Sequence, residues 1–157
     1  LSIANYICEE TITKTFDNNL YACNLSTQNG IIANANSIKV NGGGTDITLP
    51  LCYLLDKRIF VDRIILLSDN EINAVYTYDT GRDKPKTCQA LVERYKKWIN
   101  PNVWVHAIDM QGYGTQQFKG QNVNIIAGWS ERVFDFISSV EQGIDTLIGK
   151  ISGYYFK

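Results

Sequence analysis

Catalytic signatures are scarce in this sequence of 157 residues. It has one histidine, His106, which stands between Val105 and Ala107 in an apolar run, where a core imidazole is the expected role. A Ser-His-Asp hydrolase is therefore not indicated. The glycine run Gly42–Gly44 lacks the Lys-Ser or Lys-Thr ending of a phosphate-binding loop. We expect a protein that is not an enzyme.

Paired cysteines, long apolar runs and excess charge are also missing. The four cysteines, which we expect to be reduced and mostly buried in a cytoplasmic protein, form no CxxC pair that would indicate zinc: Cys8, Cys23, Cys52 and Cys88. No apolar run approaches the roughly 20 residues that span a bilayer, so no membrane partner is expected. The formal net charge is −1, so RNA binding would require a local basic patch.

Three short apolar runs are the clearest structural signal in the sequence. Ile64–Leu67, Val103–Ile108 and Val123–Ile126 are rich in branched residues, and polar residues follow the first two of them. Runs that are apolar at nearly every position are typical of strands buried on both faces of a parallel sheet. These runs predict the three strands of one sheet.

Helical patterns alternate with these runs. A helix is predicted from Asp46 to Lys57, with its true start at Thr48 because Pro50 is tolerated only in a first turn. Further helices are predicted over Cys88–Ile99, where Leu91, Tyr95 and Trp98 share an apolar face, and from Ser130 onward. Together the elements predict an α/β fold with a doubly wound, mostly parallel sheet and helices on both faces.

The first third of the chain gives weaker signals. Apolar spacing predicts a helix from Leu1 to roughly Lys14, and Leu20–Leu25 reads as a strand. Asn29-Gly30 is a strong hairpin signal, so Ile31–Ala33 is predicted to be a short returning strand.

Two oxygen-bearing side chains are expected at one edge of the sheet. Thr45 follows the glycine run, and Asp69 follows the Ile64–Leu67 strand. Open parallel sheets bind ligands beyond the carboxyl ends of their strands, and hard cations such as Mg²⁺ prefer oxygen ligands. The residues alone leave a second interpretation open, in which Thr45 or Asp46 caps a helix and Asp69 ends a strand.

The same residues carry a resemblance. Gly43-Gly44-Thr45-Asp46, Leu49-Pro50 and Leu67-Ser68-Asp69-Asn70-Glu71 resemble the von Willebrand factor A domain of the Ro autoantigen (TROVE) family. That family consists of RNA-binding proteins in which a ring of helical repeats precedes this domain. The similarity covers about residues 40–140. It implies that residues 1–157 are one such domain within a longer chain, with residues 142–157 as a C-terminal extension.

The resemblance also implies a function. The chain is expected to be a non-enzymatic module of a Ro-type ribonucleoprotein that contributes to binding small or misfolded non-coding RNA. Thr45 and Asp69 match two elements of a metal-ion-dependent adhesion site, but its Asp-x-Ser-x-Ser element does not occur in this sequence. The alternative function is a Mg²⁺-dependent module that binds a protein ligand. The strand that would pair with Ile64–Leu67 is expected to come from an upstream segment or from another chain.

Basic side chains interleaved with tyrosines indicate where RNA would bind. The candidates for RNA contacts are Arg82, Lys84, Lys86 and Lys96. Cations beside aromatic rings can hold phosphates and stack on bases. A solvated surface is the alternative interpretation of the same residues.

Overall fold

The computed structural model describes residues 8–39, 42–68, 87–111 and 118–143. The chain divides into two compact units, the first formed by residues 1–58 and 72–92 and the second by residues 59–71 and 93–157. Within the described ranges no helix is both long and apolar enough to cross a membrane. The four cysteines lie in the described ranges and form no disulfide, and Cys23 and Cys88 are buried.

A two-stranded hairpin opens the described part of the first unit. Strand β1 (Lys14–Phe16) pairs antiparallel with β2 (Leu20–Ala22). The turn between them is closed by Asp17, whose Oδ1 accepts a hydrogen bond from the Asn19 backbone N at 2.7 Å. The helix predicted up to roughly Lys14 is therefore wrong over residues 8–14, which form no helix and end at the first residue of β1. The strand predicted at Leu20 is confirmed, although it ends at Ala22.

A short helix replaces the second predicted hairpin. Helix α1 (Ile31–Ser37) begins after Gly30, whose φ of −65° is not the positive value that a two-residue hairpin turn requires. The side chain of Asn34 holds the preceding loop: its Oδ1 accepts from Ser26 N at 3.1 Å and its Nδ2 donates to Ser26 O at 2.9 Å. The prediction of a returning strand at Ile31–Ala33 is wrong.

Helix α2 (Thr48–Lys57) starts where the sequence predicts. Pro50 lies in its first turn, where backbone N–H groups have no partner within the helix, so the N–H that proline lacks costs no helical hydrogen bond. Asp46 lies just before the helix, and its Oδ1 accepts hydrogen bonds from the backbone N and the Oγ1 of Thr48 at 2.9 and 2.5 Å. The helix ends at Arg58, which adopts a left-handed conformation with a φ of 50°.

A three-stranded parallel sheet forms the core of the second unit. Strand β4 (Trp104–Asp109) lies between β3 (Arg63–Ser68) and β5 (Val123–Ala127), and both pairings are parallel. Five consecutive residues of β4, from Val105 to Asp109, are buried, as expected of a strand covered on both faces. The predicted strands and their parallel pairing are confirmed.

Two helices accompany these strands. Helix α3 (Cys88–Trp98) lies where the sequence predicts it. Helix α4 (Val133–Glu141) starts three residues after the predicted Ser130, whose backbone O instead accepts a hydrogen bond from Val133 N at 3.1 Å. Val133 and Ile137 of α4 pack on Ile108 of the sheet. The protein therefore has an α/β fold in which helices flank a parallel sheet, as predicted.

Candidate functional site

One of the four predicted RNA-contacting residues lies in the described part of the chain. Lys96 is in the last turn of α3, whereas Arg82, Lys84 and Lys86 lie outside the described residues. The Lys96 Nζ donates a hydrogen bond to the backbone O of Gln121. Burial lowers the pKa of this ammonium group. Lys96 therefore connects α3 to the loop before β5. A phosphate would have to compete with the Gln121 carbonyl for the Lys96 ammonium group.

Trp98, at the end of α3, does not lie on the buried face that the sequence predicted for it. Leu91 and Tyr95 are buried as predicted, but Trp98 is 61% exposed. The chain turns at this point, because the backbone N of Ile99 and of Asn100 both donate to Tyr95 O. The guanidinium carbon of Arg94 lies 4.2 Å from the centroid of the Trp98 ring. The result is an indole that is open to solvent and carries a stacked cation.

A second exposed aromatic ring lies at the same end of α3. Phe60 is 62% exposed, and the residues on either side of it are held by Tyr95. The Tyr95 hydroxyl donates to Ile59 O at 2.7 Å and accepts from Val61 N at 3.0 Å. Asn100 Nδ2 also donates to Val61 O at 2.8 Å. These bonds fix the backbone on both sides of Phe60, so its ring is presented from a rigid base.

Side chains on one face at the end of α3 define a surface that we call the aromatic–basic patch, namely Arg94, Lys97 and Trp98, and we include with it Phe60 from the segment that Tyr95 holds. Lys97 is exposed, and its position in the last turn of α3 is favourable for a cation because of the helix dipole. Exposed rings beside cations can stack on unpaired bases while the cations approach phosphates. The i, i+4 spacing of Arg94 and Trp98 was the sequence signal that could have revealed the stacked pair.

A cavity of about 280 Å³ lies at the start of α4 and the end of β5, the edge where parallel sheets often bind ligands. Its lining includes Trp129, which is 46% exposed, and Arg132. Glu131 precedes Arg132 and Asp135 follows it by three residues, so acidic side chains outnumber basic ones here, whereas Arg94, Lys96 and Lys97 outnumber Glu93 on α3. The patch on α3 is the better candidate for a nucleic-acid interface.

Of the two residues predicted to bind a metal, Thr45 and Asp69, the first lies in the described part of the chain. Thr45 is half-buried, and Asp69 lies outside the described residues. The neighbouring Asp46 is fully buried, and its Oδ2 has no hydrogen-bond partner among the described residues. Its Oδ1 caps α2, so the capping interpretation of Asp46 is confirmed. No group of three His, Cys, Asp or Glu side chains in the described ranges could hold a metal ion.

Cys88 lies within electrostatic range of Asp46. Burial, and then the negative charge of Asp46, raise the pKa of the Cys88 thiol to about 12. At neutral pH this thiol is protonated, so it is neither a nucleophile nor a metal ligand.

His106 is a core residue, as predicted, with a partner at each ring nitrogen. Its Nε2 lies 2.9 Å from Glu141 Oε1, and its Nδ1 lies 3.1 Å from Asn124 Nδ2. An amide N–H donates to Nδ1, so the ring proton belongs on Nε2 and points to Glu141. Burial lowers the pKa of His106 more than Glu141 raises it. Fully buried and bonded on both sides, this imidazole is structural.

No protein-family model matches the sequence, and no curated protein matches it. Among solved structures, the chain is similar to the crystal structure of the Ro (RSR) protein of Deinococcus radiodurans, with a TM-score of 0.69 and 15% sequence identity. The similarity covers 90% of this chain and 27% of that one, so this chain spans about a quarter of the Ro protein's length. The chain has the fold of a segment of that Ro protein.

Proposed function

We propose that this chain is a non-enzymatic binding module of a Ro-type ribonucleoprotein that contributes to binding small or misfolded non-coding RNA. The observation that carries the proposal is the fold shared with a segment of the Deinococcus radiodurans Ro protein. The sequence motifs around Thr45 and Asp69, which resemble the same family, support it independently. RNA binding is what that resemblance implies.

The aromatic–basic patch supplies chemistry suited to unpaired RNA. Stacking is tolerant of sequence because every base has a flat face, and one base on an aromatic ring contributes about 1–3 kcal/mol. The Arg94 guanidinium already lies over the Trp98 indole, so a base stacked there would contact both a ring and a cation. We place the RNA contact of this module at the patch, together with the predicted contacts of Arg82, Lys84 and Lys86.

The test is single-stranded RNA binding measured by fluorescence anisotropy over a series of salt concentrations. Trp98→Ala is expected to weaken binding by about 5- to 150-fold, which is the loss of one stacked base. Lys97→Gln is expected to lower the slope of log affinity against log salt by about 0.7. Trp129→Ala is the matched control, since it removes another exposed tryptophan that lies outside the aromatic–basic patch.

Equal losses for Trp98→Ala and Trp129→Ala would contradict the assignment to the patch. Unchanged affinity in Trp98→Ala, Lys97→Gln and Lys84→Glu together would remove RNA from the proposed function.

Mg²⁺ near Thr45 is the cofactor in this proposal. Mg²⁺ is commonly held by one or two carboxylates while waters complete its octahedron. The orphan Oδ2 of buried Asp46, next to Thr45, supports an oxygen-rich cation site, because a buried carboxylate oxygen without a donor is costly. Asp69 is the other proposed ligand. Bound Mg²⁺ would supply a positive charge that neutralises the buried carboxylate.

A further inference from the structure

The loop between β2 and α1 exposes the pair Asn29-Gly30 to solvent. Asn29 N donates a hydrogen bond to Ser26 O at 3.2 Å, and Gly30 O accepts one from Asn34 N at 3.0 Å. Two other groups of the pair, the side-chain amide of Asn29 and the backbone N–H of Gly30, have no hydrogen-bond partner among the described residues. An electrophilic carbonyl carbon and the main-chain nitrogen that follows it are therefore both open to reaction.

The fold does not require glycine at position 30. Its φ of −65° and ψ of 160° lie in the extended region that any residue adopts, and a Cβ added there would meet no atom within 4 Å. What glycine provides is a nitrogen with no side chain beside it and a backbone that rotates freely. Both properties allow the Asn29 side chain to close onto that nitrogen. The pair therefore favours a ring between side chain and main chain.

We propose that Asn29 is a modification site, at which the side chain deamidates through a succinimide formed with Gly30. The Gly30 nitrogen loses its proton and bonds to the Asn29 Cγ, while the side-chain amide takes up a proton and leaves as ammonia. Water then opens the ring. Attack at Cγ restores the main chain and gives aspartate, whereas attack at the main-chain carbonyl carbon gives isoaspartate. One water is consumed and one ammonia is released, so no oxidant or reductant is needed.

Isoaspartate at position 29 changes the loop that Asn34 holds. The oxygen and the nitrogen of the Asn34 side-chain amide bond to the main chain of Ser26 at 3.1 and 2.9 Å, so the residues between them form a closed loop. Isoaspartate routes the main chain through Cβ and Cγ and thereby adds an atom to that loop. Asn34 is 3% exposed and belongs to α1, so it has little room to follow the longer chain. We expect its bonds to Ser26 to open, which loosens the start of α1.

Peptide mapping after incubation of the 157-residue chain tests this site. Trypsin releases residues 15–39 as one peptide, separate from the other Asn-Gly pair at 41–42. In mildly alkaline buffer Asn29 should gain the mass by which a carboxyl exceeds an amide, and electron-transfer fragmentation identifies the position and the isoaspartate share. Conversion should slow in mildly acidic buffer because the Gly30 nitrogen has to lose its proton. Gly30→Ala, which the backbone accommodates, should slow conversion about tenfold or more.

Asn36-Ser37, in the same tryptic peptide, is the matched control. Asn36 is also exposed and also precedes a small residue, but Ser37 lies in α1, where the helix engages its N–H. Asn36 should stay unconverted while Asn29 reacts. Equal conversion of the two asparagines, no conversion of Asn29, or an unchanged rate in Gly30→Ala would overturn the proposal.

Amide hydrogen exchange measures the effect on the loop, once the isoaspartate form has been isolated by chromatography. The amide of Ser26, which donates to Asn34 Oδ1, should exchange about fivefold faster or more than in the fresh chain, as expected for the loss of one hydrogen bond. Asn29→Asp carries the same charge without the added main-chain atom, so its Ser26 amide should exchange as in the fresh chain. Equal exchange at Ser26 in the isoaspartate form and in Asn29→Asp would overturn the loosening of the loop.

Discussion

Two buried polar side chains, Asp46 in the first unit and His106 in the second, differ in how many of their polar atoms are hydrogen-bonded. His106 has a partner at each of its nitrogens, and its partner Glu141 is also bound by Arg63 through two hydrogen bonds. Asp46 uses one oxygen to cap α2, while its other oxygen has no partner among the described residues. Both side chains are fully buried.

This difference indicates which of the two side chains could bind a ligand. A buried polar network in which every member is bonded is stable and specifies one arrangement, and it leaves nothing to offer a ligand. A buried carboxylate with an orphan oxygen carries an energetic cost that a donor or cation can remove. The His106 network therefore belongs to the fold, and Asp46 marks the position near which we propose a bound ion.

Removal of Glu141 should produce the largest effect. Glu141→Ala leaves the buried His106 Nε2–H without an acceptor and removes a carboxylate from the exposed Arg63, so unfolding should require about 1–3 kcal/mol less, mostly because of the unpaired His106 donor. Urea denaturation measures this change. Glu141→Gln keeps an acceptor for His106 and should lose clearly less. Equal losses in the two variants would mean that charge alone matters and that the hydrogen bond to His106 contributes little.

Acid should weaken the second unit through the same network. The pKa of His106 is lowered by burial from its ordinary 6.5, so the unfolded chain binds a proton that the folded chain does not, and stability falls as pH drops below 6.5. The pKa of Glu141 is lowered by its bonds to Arg63 and His106, although burial opposes this, so a second loss follows below 4.5. Each group contributes up to about 1.4 kcal/mol per pH unit.

Urea midpoints between pH 7.5 and 5 measure the first of these losses. In His106→Gln, which cannot titrate, the decline between pH 6.5 and 5 should be smaller than in the natural chain. A decline of the same size in both proteins would show that His106 is not its source.

The smallest effects on stability are expected at Asp46. Asp46→Asn keeps an oxygen to cap Thr48 and should change the unfolding free energy by less than about 1 kcal/mol, whereas Asp46→Ala should lose about 0.5–2 kcal/mol with the cap. Mg²⁺ should raise the melting temperature of the natural chain and leave that of Asp46→Asn unchanged. Equal Mg²⁺ responses in Asp46→Asn and in the natural chain would place the ion elsewhere, and Asp69→Ala would then test the remaining proposed ligand.

The sequence alone was sufficient where burial patterns are continuous. The runs around Ile65, Ala107 and Ile125 predicted strands because a segment that is apolar at nearly every position is typical of strands covered on both faces. β4 is buried in this way, whereas β5 exposes Ile125 and Ala127. Pro50 placed the start of α2 at Thr48 because proline fits a first turn and no later one. His106 was correctly assigned to the core because its neighbours are apolar.

Tertiary structure decided what local patterns left ambiguous. Residues 8–14 have helical spacing, yet Lys14 starts a strand because the chain after Asp17 returns to pair with it. Asn29-Gly30 signals a hairpin, yet Asn34 binds Ser26 across the loop and a helix follows. Trp98 continues an apolar stripe, yet it is exposed because α3 ends at it. In the first two cases, contacts between residues eight positions apart outweighed a local preference of a few tenths to about 1 kcal/mol.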